Sequence, residues 1–236
     1  MSAPFADNWS YLRAELAWLD RVLMRASAKQ QQTQKDVARV AKRPADQATS
    51  YWWQGLLMGD PSQGGSLPPS RALPSHPLGR FGERISLNFS QKIPLGIPLL
   101  CERLGVGQFE RNVLLLCLAP EISRRYEKIY GFLNGDGQTQ PTVDLCLRLF
   151  CHNDYEWREC RQAFTTKAPL IKRQIIQMAF PVNSSSRTLL AQILFLPEKI
   201  TTYCLSDHGS LSAIVPKPRQ KAKLEKVTSV ADVSVT

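Results

Sequence analysis

The chain has 236 residues, 43% of them apolar, and its 30 basic and 20 acidic side chains leave a net charge of +10. That is enough for one domain with a real core or two small ones, and it excludes a collagen, a disulfide mini-protein and a wholly disordered chain. The longest apolar run, VLLLCLA at 113–119, is far shorter than the ~20 residues of a membrane-spanning helix. The charge favours acidic partners such as nucleic acid, anionic lipid or an acidic protein surface, without choosing among them.

The first residues, MSAPFAD, carry neither a basic n-region nor an apolar h-region, so no secretory signal is read and a cytoplasmic location is expected. From about residue 8 to 42, Trp9, Leu12, Leu16, Leu19, Leu23 and Ala26 recur at spacings of three and four. That spacing predicts a helix with an apolar seam, which Trp18 and Val22 widen. Asp7 or Asn8 is placed to cap it. Pro44 ends any helix. The seam either packs on the chain's own domain or pairs with another chain. Its length of under three heptads favours packing.

Residues 45–92 change character. PSQGGS at 61–66, PPS at 68–70, Pro74 and Pro77 predict a linker or a long surface excursion. Within it, Tyr51, Trp52 and Trp53 precede Leu56, Leu57 and Met58. So much aromatic surface either packs on the main domain or docks on a partner.

The densest patterning runs over 93–205. A short helix around Ile97, Leu100, Cys101 and Leu104 stops at Gly105. A second starts at Gly107 and is broken or restarted by Pro120. A third carries Ile122, Tyr126, Ile129, Tyr130 and Leu133 and ends at the turn NGDG, 134–137. Pro141 suits the first position of a fourth, and a fifth is predicted over 155–164. Two strands, 171–180 and 188–196, follow around a polar loop, although 170–178 is also compatible with a helix. Helices followed by a β-hairpin are the order of a winged helix. The fold class expected is therefore mainly α with a small β-wing, an α+β winged-helix domain at 93–205 that folds on its own, preceded by a long N-terminal helix. Beyond it, 206–236 reads as a disordered basic tail.

A family resemblance rests on LGVGQFER at 104–111, LLLCLAPE at 114–121, Arg125, Tyr126 and Glu127, then Pro141, Thr142, Val143, Asp144, Leu145, Leu147, Arg148 and Leu149. This succession resembles the winged-helix region in the N-terminal half of a group of bacterial AAA-type ATPases. Asn8, Trp9, Ser10, Tyr11 and Leu12 are similar to the start of their first helix. The resemblance implies a winged helix that accompanies an ATPase and, often, a contractile, phage-tail-like injection particle. Two features depart from the group's pattern. Gly107 replaces a usual Ser cap, and the segment around Trp52 and Trp53 is unlike it.

Chemistry is scarce. No G-x-x-x-x-G-K-[ST] occurs. The glycine-rich GDPSQGGS at 59–66 lacks the lysine, and no apolar strand precedes it, so ATP hydrolysis is not expected. The three histidines, His76, His152 and His208, do not form a metal pattern with the six cysteines, which lack a C-x-x-C pair. Cys151 and His152 are adjacent on the chain and point apart, a poor nucleophile–base pair. No catalytic residue, metal or cofactor is expected.

The function expected is a non-catalytic interaction or regulatory domain. Its docking surface would comprise Trp9, Leu12, Leu16, Leu19 and Leu23 with Tyr51, Trp52 and Trp53. Its partner would be an AAA ATPase or a component of a contractile particle. The alternative is a nucleic-acid-binding winged helix. The candidate recognition helix after Pro141 is mostly apolar, which argues against base readout. Lys35, Arg39, Lys42 and Arg43, with Lys217, Arg219, Lys221 and Lys223, supply charge for weak, sequence-blind association only.

Overall fold

The computed structural model describes residues 3–41, 78–182 and 187–207, with the side chains of 36–41 and 78–80 outside that description. The first helix, α1, spans Asn8–Ala41, close to the predicted range. Asp7 caps it: Ser10 N donates to Asp7 Oδ1 at 2.6 Å and Asp7 N donates to Ser10 Oγ at 3.2 Å. Hydrogen bonding from Ser10, its backbone first and then its side chain, holds the Asp7 carboxyl below its usual value. Asn8 has a different role. It donates from Nδ2 to Cys204 O at 2.8 Å and accepts from Gly96 N at 2.9 Å, tying the start of the chain to two distant helices.

After α1 come α2 (Leu78–Ser90), α3 (Gly96–Leu104), α4 (Gln108–Ile122), α5 (Arg125–Asn134), α6 (Val143–Phe150) and α7 (Asp154–Arg161). A 3₁₀ turn, Gln162–Phe164, leads to the single helical turn α8 (Pro169–Lys172). Strands β1 (Gln177–Ala179) and β2 (Ile193–Phe195) follow, and α9 (Glu198–Leu205) closes the described chain.

The core centres on α4. Its residues from Arg111 to Ala119 are all buried, as a helix surrounded on every side requires. On α1, Tyr11, Leu12, Leu19 and Leu23 are fully buried, and Leu16, Trp18 and Val22 nearly so. They belong to the same apolar cluster as the helices after residue 93, and α1 packs against α5, α4 and α6. Two expectations change here. The 93–205 segment is not a self-contained domain, because α1 supplies part of its core. Part of the supposed linker, 45–92, is helical: α2 buries Ile85 and Asn88. Asn88 donates to Phe5 O at 2.7 Å and accepts from Phe5 N at 2.9 Å. The rest of that segment, 45–77, lies outside the described residues.

Pro120 does not break α4, which runs through to Ile122. Proline lacks the N–H that would bond the carbonyl four residues back. That carbonyl, Leu116 O, instead accepts a hydrogen bond from the buried Tyr130 Oη at 2.9 Å. Tyr130→Phe should therefore strand a buried carbonyl and cost about 1–3 kcal/mol. Denaturant titration checks this, and a loss below a few tenths of a kcal/mol would contradict it.

The helix boundaries that follow have local causes. Gly105 (φ 64°) ends α3 in the left-handed conformation that glycine adopts without strain. Gly96 opens the same helix against the backbone of Cys204, where an added Cβ would sit 3.2 Å from the Cys204 Cα. Thr142, not Pro141, precedes α6 as its cap, its Oγ1 accepting from Leu145 N at 3.1 Å. Pro141 is drawn into the sheet, its carbonyl accepting from Leu194 N at 2.8 Å, while Val143 N donates to Gln192 O at 3.0 Å.

The strands are shorter than expected because α8 and a turn take up 169–174. β1 and β2 pair antiparallel, with Met178 opposite Leu194. Thr142 forms a bridge to Ile193 on the other edge of β2, a minimal third strand.

Candidate interaction surface

Reactive groups lie mostly inside. Tyr11, Glu15 and Arg111 form a buried cluster between α1 and α4. Arg111 Nη2 donates to Tyr11 Oη at 2.8 Å and is ion-paired with Glu15 Oε1. Burial pushes the Glu15 carboxyl up, against the pull of Arg111. Burial also raises the Tyr11 hydroxyl well above its usual value. Buried and bonded to one another, these groups act as a polar clamp on the register of two core helices.

The cysteines are quiet as well. Cys101 and Cys204 are buried, and burial pushes each thiol up to about 12. Cys151 and Cys160 are half-buried and hydrogen-bonded to one another; burial first, then that bond, pushes Cys151 up to about 12. A nucleophilic cysteine needs the opposite shift. Among the described residues no three of His, Cys, Asp and Glu are arranged to hold a metal ion, and no helix is long and apolar enough to cross a membrane. The crevice beside Val113, Phe164, Leu170 and Ile176 is too narrow to admit a water-sized molecule, far short of a small-molecule site.

The residues named as a docking surface divide. Leu12, Leu16, Leu19 and Leu23 are core and cannot meet a partner in this fold. Trp9, on the same helix, is 42% exposed. Tyr51, Trp52 and Trp53 lie outside the described residues. So do Lys42, Arg43, Lys217, Arg219, Lys221 and Lys223. Lys35 is exposed near the end of α1, and only the backbone of Arg39 is described.

The candidate recognition helix of the nucleic-acid alternative, α6, is also core, as its apolar sequence suggests: Val143, Leu145, Cys146, Leu147 and Leu149 are buried. The helix that reaches solvent ahead of the hairpin is α7, in which no residue is buried. Asn153 caps it, Oδ1 accepting from Glu156 N at 2.9 Å. Glu156 Oε2 accepts from His152 N at 2.8 Å and lies 2.9 Å from His152 Nδ1. The His152 bonds, the backbone one first, hold the Glu156 carboxyl below its usual value. The start of α7 is thus fixed by its own side chains.

Four rings anchor this side of the molecule. Trp18 of α1 stacks on Phe150 at 6.1 Å, Phe150 meets Phe109 edge-on at 6.4 Å, and Phe109 meets Phe164 edge-on at 5.8 Å. Phe164 closes the 3₁₀ turn directly after α7, so the outward helix stands on a rigid base.

The outward face has a distinct chemistry. Tyr155 is 74% exposed on α7, and Val182, after β1, is fully exposed. From residue 158 to 173 the chain carries five bases (Arg158, Arg161, Lys167, Lys172 and Arg173) and one acid, Glu159. All five bases are exposed. On the hairpin, the exposed Arg187 stacks its guanidinium 5.2 Å from the Phe180 ring. In the sequence this surface is masked by the denser basic runs at 35–43 and 217–226. The signal was the imbalance of bases over acids within a folded stretch.

A helical core, an outward helix ahead of a short antiparallel hairpin, and a one-residue third strand define a winged helix. The chain belongs to the family described as winged helix domain, variant, whose model matches residues 1–217. No curated protein and no solved structure matches it. Winged-helix domains act by binding protein or nucleic acid.

Proposed function

We propose that the chain is a non-catalytic protein-interaction module that docks on an AAA ATPase or on a component of a contractile particle. The observation that carries this reading is the character of α7: an exposed tyrosine among charges of both signs, on a helix that touches the core only through the half-buried Trp157 and Cys160. Exposed tyrosine and arginine are the residue types enriched in protein interfaces. The resemblance over residues 104–149 supplies the candidate partner. The lack of a phosphate-binding loop in the sequence argues against ATP hydrolysis by this chain.

A second reading, nucleic-acid binding, is favoured by the five bases at 158–173. Against it, Asp154 and Glu159 are exposed on the same helix, where they would repel phosphates.

The test is co-expression of the full chain with an AAA ATPase encoded beside it, followed by size-exclusion chromatography and an ATPase assay. A co-eluting complex is expected, with all turnover belonging to the ATPase. The separated chain should show none. Turnover that scales with this chain alone, or the absence of any complex, would overturn the proposal.

A further inference from the structure

From the surface formed by α7, the 3₁₀ turn and α8, we infer that the docking site takes an acidic protein segment carrying an aromatic or aliphatic anchor. The inference rests on the docking reading above and specifies where the partner sits and what its chemistry is.

Charge is the first argument. Arg158, Arg161, Lys167, Lys172 and Arg173 are all exposed, and none forms an ion pair among the described residues. Two exposed arginines elsewhere do find acids. Arg125 pairs with Asp20 at 2.6 Å and Arg148 with Asp144 at 2.7 Å. Among the described residues, the run 158–173 thus leaves five exposed cations uncompensated. Unmatched like charges repel one another, and an anionic partner removes that repulsion. A second copy of this chain is a poor occupant, because its net charge of +10 opposes self-association through a basic face.

The second argument is the apolar content. Tyr155 and Arg158 are three residues apart, on one side of α7. Tyr155 offers a large ring at low entropic cost with its hydroxyl in water. A purely electrostatic partner has no use for that ring. A segment with carboxylates around one aromatic or aliphatic anchor uses both the charge and the ring.

The third argument separates protein from nucleic acid. α7 is acidic in its first turn, with Asp154 and Glu156, and basic in its last, with Arg158 and Arg161. Glu156 is engaged by His152 and Asn153, but Asp154 and Glu159 remain exposed. A phosphate backbone crossing the helix would meet those carboxylates. A peptide places its acids opposite the arginines and its neutral residues opposite Asp154.

The experiment uses the full chain and fluorescence anisotropy with three probes. The first is a short labelled peptide alternating Glu and Asp with Phe and Leu. The second has the same apolar residues with Gln and Asn in place of the acids. The third is a labelled DNA duplex. The acidic peptide should bind most tightly. Arg158→Glu with Arg161→Glu, and separately Lys172→Glu with Arg173→Glu, should each weaken it by about tenfold or more. Tyr155→Ala should weaken it by a similar factor. Reversing Arg13 and Arg21, exposed on α1, alters net charge equally and should leave binding nearly unchanged. Melting temperatures of all variants confirm that they fold.

Equal weakening by the Arg13 and Arg21 reversal would reduce the effect to net charge and overturn the site. Tighter duplex binding lost with the same reversals would assign the face to nucleic acid instead. Failure of the acidic peptide to outbind its neutral counterpart would end the proposal. An ATPase complex that forms but ignores the Arg158, Arg161 and Tyr155 changes would leave the docking reading standing and place the partner elsewhere. Peptide binding as expected with no ATPase complex would do the reverse.

Discussion

Arg111→Met should lower stability by about 3–5 kcal/mol, because it leaves the Glu15 carboxylate buried without its cation. Glu15 and Arg111 are 2% and 8% exposed at their side chains, so water cannot replace the lost partner. For a chain of this size the expected fall in Tm is on the order of 10 °C. The pH dependence has a definite sign. Burial already raises the Glu15 carboxyl, and without Arg111 the rise is larger. A carboxyl raised in the folded state binds its proton more readily there than in the unfolded chain. The loss should therefore be greatest at neutral pH and shrink as pH falls toward and below the ordinary carboxylate range. Replacing all three members, with Tyr11→Phe and Glu15→Leu added, removes the buried polar groups together. It should recover much of the stability. Denaturant midpoints for the single and triple variants, at neutral and mildly acidic pH, measure both effects. A single variant within about 1 kcal/mol of the parent would show that the pair is not the clamp described.

Leu19→Ala should cost about 2–5 kcal/mol, as for other leucines deleted from tight cores. Leu19 is fully buried on α1, which packs against α4, α5 and α6. The same contacts predict that a chain beginning at residue 78 loses cooperative unfolding, because Tyr11, Leu12, Leu19 and Leu23 leave a wide apolar groove open to water. Circular dichroism during thermal melting distinguishes the outcomes. A sharp transition in the shortened chain would restore 93–205 as an independent domain and return the α1 seam to the surface.

The helices were legible where apolar spacing and turn chemistry agreed. α1 follows its seam, α3 stops at Gly105, and α5 ends at the glycine turn after Asn134. The α4–Pro120 relation was not legible. Proline in isolation signals a break, and only the tertiary contact from Tyr130 explains why the helix continues. α2 carries Leu78, Phe81, Ile85 and Phe89 at helical spacing, but it directly follows a run of prolines that reads as linker. Its buried Asn88 looks like a surface residue until its bonds to Phe5 are known.

The site was less legible than the fold. An apolar seam on α1 has the same pattern whether it meets its own domain or a partner. The structure decides that question for Leu12, Leu16, Leu19 and Leu23, which face inward, and leaves Trp9 outside. α6, the candidate recognition helix of the nucleic-acid alternative, is core. The intervening α7 reads as a polar helix of mixed charge, and only its position ahead of the hairpin gives it meaning.

Hydrogen–deuterium exchange on a complex of the full chain with the AAA ATPase proposed as its partner tests the central claim most directly. The claim is that α1 is core and that the winged helix docks through its outward face. Backbone amides of 154–173 should gain protection on binding. Amides of the core half of α1, around Leu12 to Leu23, should be slow to exchange already and unchanged. Protection confined to α1, with 154–173 exchanging as in the free chain, would contradict the claim.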